Sequence, residues 1–129
     1  MRSILALWLL SFLTTPASWA NTNDYRERTM PFIATAYSHR GETASGAITR
    51  VGLVAADPAV LPLGSRIRVT GAGGYSGEYL VADTGSLVKG RHIDIFMLSK
   101  SEAKKFGRQK ITVHVRSIGN GKRFRSRPA

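Results

Sequence analysis

The stretch VADTGSLVKGRHIDIF, residues 81 to 96, sets two carboxylates, Asp83 and Asp94, at the ends of a glycine-bearing loop between two apolar runs. Paired acids are candidates for proton-transfer chemistry, provided that one of them is protonated when the reaction needs an acid. Asp94 fits that part. It stands between Ile93 and Ile95, and strand alternation puts it on the face of His92 and Phe96, away from the two isoleucines. A half-sheltered carboxylate beside an aromatic ring has a raised pKa, which is what a general acid requires. Lys89, Arg91 and His92 would lower it, so either burial outweighs them or they point away and bind the carboxylates of a substrate. Asp83 taken alone reads as a turn residue, since Asp before Thr-Gly bonds its own backbone.

Asp83, Thr84 and Gly85 also spell the aspartic-protease signature, in which each of two chains gives one Asp to a shared proton. Position argues against a dimeric protease: 62 residues of the expected mature chain precede Asp83, only 46 follow it, and Asp94 is left without work. His39, His92 and His114 invite a metal, with His92 and Asp94 as ligands on one strand face. Two ligands are too few for a zinc site, so no metal and no cofactor is expected.

The surrounding elements are mostly strands. FIATAYS is rich in β-formers, VGLVAA is a short apolar run broken by Asp57-Pro58, and RIRVT alternates. EYLVAD delivers Asp83, HIDIFML carries Asp94, and KITVHVRSI alternates again. SKSEAKKF is the one convincing helix, with Ser99 and Glu102 as a capping box and Gly107 as its stop. Six short strands and one helix predict a small closed barrel, which leaves no exposed edge. SHRGETASGAITR and GAGGYSG read as polar, glycine-bearing loops.

The N-terminus is set apart. Arg2, the run ILALWLLSFL, and Ser18 and Ala20 at cleavage spacing predict a secretory signal peptide over residues 1–20. Residues 21–30 read as a disordered lead-in, 31–118 as one domain and 119–129 as a basic, solvated tail. With no cysteine the chain has neither a disulfide nor a site for lipid attachment, so a periplasmic or secreted protein without stable membrane insertion is expected. The net charge of +11 favours anionic partners, which beyond a membrane are envelope polymers. Nucleic acid is not expected, because the basic tail carries Phe124 but no recognisable module.

FIATAYS, LVAADPAVLPLGSRIRV, LVADTGSLVKGRHIDIF and SEAKKFGRQKITVHV follow one another between residues 32 and 116. Together they resemble the 3D domain, named for three aspartates, here Asp57, Asp83 and Asp94. The domain is similar to the catalytic barrel of membrane-bound lytic transglycosylase A and, more distantly, to rare lipoprotein A. The likeness implies a mainly β fold, a six-stranded double-psi β-barrel with one short helix. It implies an enzyme that cuts the β-1,4 bond between N-acetylmuramic acid and N-acetylglucosamine in peptidoglycan glycan strands. Asp94 matches the acid/base of that family; Asp83 would orient it or stabilise positive charge. Asp57, Thr35, Tyr37, Lys89, Arg91 and His92 are the expected substrate-binding residues, and Asp57 also fixes the turn before Pro58. The transglycosylase lays its glycan between the barrel and a second domain, for which the mature chain has no room. Either a homodimer completes the groove, or the barrel face is an open site, or the protein binds glycan without cutting it. The last alternative is a wall-binding module.

Overall fold

The six β-forming runs become six strands: β1 (Arg28–Tyr37), β2 (Leu53–Ala56), β3 (Arg66–Thr70), β4 (Gly77–Asp83), β5 (His92–Phe96) and β6 (Gln109–Ser117). One helix, α1 (Lys100–Phe106), lies between β5 and β6. The structure is a computed structural model, and it describes residues 28–124. The leader expected over 1–20, residues 21–27 of the lead-in and residues 125–129 of the tail lie outside the described residues.

The strands close into a barrel in the order β1-β5-β2-β4-β3-β6. β1 runs parallel to β5 and β2 parallel to β4, while the other four pairs are antiparallel. Alternation decides which side chains fill the interior. Ile67 and Val69 of β3, Ile93 and Ile95 of β5, and Val113 of β6 are all buried, and each such side chain contributes about 1.5–3 kcal/mol on leaving water. β2 does not alternate. Leu53, Val54, Ala55 and Ala56 are all buried, with Val54 and Ala56 in the core cluster and Ala55 in the floor of a cleft.

α1 is short and fixed at both ends. Ser99 Oγ accepts the Glu102 N–H at 3.1 Å, and Gly107, at φ 62°, terminates the turn. Its last residue, Phe106, enters the core and meets Tyr75 edge to face at 5.5 Å.

Two sequence expectations shift. β1 begins at Arg28, so residues 28–30 are strand rather than lead-in: Arg28, Thr29 and Met30 pair with Val115, His114 and Val113. The beginning of the basic tail is exposed over residues 120–124, but it is bonded to the barrel side rather than loose, since Gly119 N donates to Ser65 Oγ at 3.0 Å and Phe124 N to Ser45 O at 2.7 Å. Gly119 fits there because it has no side chain; a Cβ would stand 2.0 Å from the Leu63 carbonyl oxygen.

Candidate functional site

The strand order builds the site. β2 lies between β4 and β5, and Ala55 pairs with Asp94 on one side and with Asp83 on the other. On the far side of β5, Thr35 of β1 pairs with Asp94. Thr35, Asp94, Ala55 and Asp83 thus form one row across four neighbouring strands, with a residue no larger than alanine between the two acids. The sequence places the acids at the two ends of a loop; the fold sets them on opposite sides of a strand that comes 27 residues before Asp83.

Asp94 is half-buried between the core isoleucines. Burial pushes its carboxyl above the ordinary carboxylate range, and the Asp83 charge adds to this; the Thr35 hydroxyl and the His92 ring act against both. Burial therefore prevails over His92, the cation of the same segment that acts on Asp94. Thr35 Oγ1 donates to Asp94 Oδ1 at 3.0 Å and lies 2.7 Å from His92 Nε2. A hydroxyl has one proton to give, so with Thr35 donating to Asp94 the His92 ring is the donor to Thr35. The relay fixes Oδ1 as an acceptor and leaves Oδ2 as the oxygen able to carry a proton.

Asp83 is held by main chain. Its Oδ1 accepts N–H groups from Ala44 and Thr84, both at 2.9 Å. Ala44 belongs to a hairpin over residues 41–49, closed by the Glu42–Ile48 bridge and by the Thr43 and Thr49 backbone bonds. Thr43 and Ser45 are buried there, bonded to each other at 2.9 Å, and Ser45 N docks on Ala82 O at 2.9 Å.

A cleft of about 330 Å³ opens above the row, with Tyr37, Ala55, Asp83 and Asp94 in its walls, Gly41, Glu42 and Thr49 on one lip, and Thr84, Gly85 and Val88 on the other. That is the lower end of the range for small-molecule sites, about 300–1,000 Å³. Tyr37 packs edge to face on Phe96 at 5.5 Å. Its hydroxyl oxygen is buried without a hydrogen-bond partner, and burial together with both aspartates drives its pKa well upward. It stays protonated, a donor with nothing to donate to.

The other expected residues are placed as follows. Asp57 stands outside the cleft: its Oδ1 accepts Ala59 N at 3.0 Å, and its Oδ2 accepts Gly90 N at 2.8 Å. It fixes the turn before β3 and also ties down the loop that forms the second lip, and these N–H bonds hold its carboxyl below the ordinary range. Thr35 and His92 stand behind Asp94 and act on it. Lys89 is exposed on the 84–91 loop, and Arg91 lines a different groove, beside Phe32 and Lys110. The dimeric-protease alternative, disfavoured by the position of Asp83 in the chain, gains nothing here, because Asp83 lies across Ala55 from Asp94 of the same chain. Sequence reasoning missed the 41–49 hairpin, with Glu42 and Thr49 on its lip and the Ala44 N–H. Its signal was the close spacing of Thr43, Ser45 and Gly46, residues that satisfy one another in tight turns.

The family profile described as the 3D domain matches residues 52–118. The chain is 36% identical over 107 residues to the cell wall-binding protein YocH of Bacillus subtilis, which covers 74% of this chain and 36% of that protein. With the putative cell wall shaping protein YabE of the same organism the identity is 33% over 105 residues, 74% of this chain and 25% of that protein. The chain thus spans about a third or less of the length of these two relatives. Among solved structures, a Streptomyces papain inhibitor superposes with a TM-score of 0.54 at 20% identity over 68% of this chain and 94% of its own. A Clavibacter michiganensis expansin in complex with cellohexaose gives 0.52 at 21% over 67% and 50%. The lytic transglycosylase MltA of Escherichia coli gives 0.50 at 20% over 63% and 28%. At such identities the likeness is one of architecture, and it agrees with the six-stranded double-psi β-barrel expected from the sequence. With the family profile covering more than half of its residues, the chain belongs to the 3D domain family.

Proposed function

We propose that the protein is an exported enzyme of the cell envelope that cleaves peptidoglycan glycan strands, a lytic transglycosylase with Asp94 as its acid/base. The observation that carries this reading is a carboxyl kept above its ordinary pKa in the wall of a cleft, with one oxygen committed to Thr35 and the other open. Protonated Oδ2 would give its proton to the bridging oxygen of the scissile bond. The resulting carboxylate would then take a proton from the C6 hydroxyl of the muramoyl sugar, which closes a 1,6-anhydro ring on the oxocarbenium-like carbon. An internal nucleophile removes the need for a second carboxylate to activate water or attack the sugar. Asp83, set across Ala55, would stabilise the positive charge that develops on the ring. Tyr37, whose hydroxyl oxygen is buried, would shape the cleft wall beneath the sugar.

Two relatives named for binding and shaping the cell wall support an envelope glycan as the partner. They also favour the second reading, a module that holds glycan without cutting it. Digestion of purified sacculi with the mature protein separates the two: mass spectrometry should find 1,6-anhydro ends among the released fragments. Sedimentation with sacculi that release no fragments would establish the binding module instead.

A further inference from the structure

We propose that the segment following β6 is a strap that positions Asp83, with Arg123 and Phe124 holding the 41–49 hairpin and the hairpin holding the carboxylate. The strap leaves β6 along a fixed course. Gly119 N is bound to Ser65 Oγ at 3.0 Å, and Gly121 N to Leu63 O at 3.1 Å. It then reaches the hairpin, where Phe124 N donates to Ser45 O at 2.7 Å and Arg123 Nη2 meets Glu42 Oε1 at 2.5 Å. The guanidinium lies over Gly46, where a Cβ would stand 3.2 Å from Nη2.

The opposite side of the hairpin makes two further contacts. Ser45 N binds Ala82 O, and Ala44 N binds Asp83 Oδ1. The hairpin is therefore gripped between β4 and the strap, and the residue whose carbonyl takes the strap's N–H is adjacent to the residue whose N–H holds Asp83. Both Arg123 and Glu42 are more than half exposed, and such an ion pair alone contributes little. The backbone bond and the fixed start of the strap make up the rest of the grip. Released from the strap, the hairpin keeps its bonds to β4 through Ser45 and Ala44. Asp83 then loses one of its two N–H donors for part of the time, and the lip carrying Glu42 moves with it. Arg123 and Glu42 are positioning residues, not catalytic ones; only the effect on substrate rests on reading the cleft as a glycan site.

Two truncations of the full chain test the strap. Ending after Lys122 removes both grips on the hairpin, whereas ending after Phe124 removes neither. Hydrogen exchange read by NMR should be about tenfold or more faster at the Ala44 and Ser45 amides in the first and unchanged in the second, with Ile93 and Val113 still protected in both. Equal exchange at Ala44 in the two truncations overturns the proposal. If the shorter chain also loses protection at Ile93 and Val113, the barrel itself has opened, and a charge exchange decides. Arg123→Glu should speed exchange at Ala44, and adding Glu42→Arg should slow it again, as should Arg123→Lys in place of Glu; no acceleration in Arg123→Glu overturns the proposal. Exchange needs no substrate, so a protein that digests no sacculi can still show the strap at work.

Discussion

Asp94 is under two opposed demands, because the burial that makes it an acid also makes it a poor guest in the fold. With its pKa raised in the folded state, the native protein binds the proton more tightly than the unfolded chain. Stability from this group is complete below the ordinary carboxylate value and falls as pH rises through the raised one. Asp94→Asn, which keeps the acceptor for Thr35, should therefore raise Tm at pH 7, and the gain should shrink to nothing near pH 3. A calorimetric series over that range checks the sign. The same substitution should reduce sacculus digestion by about 10² to 10⁴-fold while leaving circular dichroism and wall binding intact; digestion at the parental rate would rule out Asp94 as the acid. Tyr37→Phe removes a hydroxyl that has no partner in the fold, so the melting temperature should hold or rise. Glycan affinity should change less than about threefold, because the buried oxygen offers no surface to a sugar, and titration with muropeptides checks it.

At the scale of elements, the acids depend on loops that Asp57 and the hairpin hold in place. Asp57 has the opposite linkage to Asp94: its folded pKa is lowered, so its stabilisation is present above the ordinary carboxylate value and is lost as pH falls through the lowered one. Asp57→Asn should lower Tm at pH 7 and cost progressively less toward pH 2, with faster exchange at the Gly90 amide; an unchanged Gly90 amide would count against the clamp. The six strands and the helix were legible because alternation and capping are local signals. Asp94 was legible for the same reason, as a charge between Ile93 and Ile95. What could not be read was tertiary: that β2 would intervene between the acids and leave Ala55 between them, and that a main-chain N–H from Ala44 would hold Asp83. The hairpin's turn signal was local, in Thr43, Ser45 and Gly46, but its docking was not, since Thr43 and Ser45 look like surface residues until the fold buries them.

The whole molecule has a net charge of +11, which should draw it to an anionic wall. Retention on insoluble peptidoglycan should weaken as salt rises beyond about 0.15 M, where charges are screened over about 8 Å. Lys89→Gln and Lys122→Gln should matter more than Arg123→Gln, whose charge already faces Glu42; retention independent of salt would remove charge as the recruiting force. Inside the barrel, Ile93→Ala should cost about 2–5 kcal/mol by leaving a cavity beneath the strand that bears Asp94, and urea unfolding reads it.

The strand order also dictates when the chain can fold. β1 emerges first, yet its neighbours are β5 and β6, and β2 needs β5 as well. Of the six pairings, only β3 with β4 joins consecutive strands. A chain threaded from its N-terminus through a ribosome or a translocation pore can therefore pair β4 with β3 and β2 first, can place β1 only once β5 has arrived, and cannot close the barrel before β6. Closure then has to join segments far apart in sequence, a slow event on the scale of milliseconds to seconds. For a protein that the proposed leader would send through a narrow channel, this lateness is useful: β1 stays without either of its partners until β5 emerges, and the barrel stays open until β6 does.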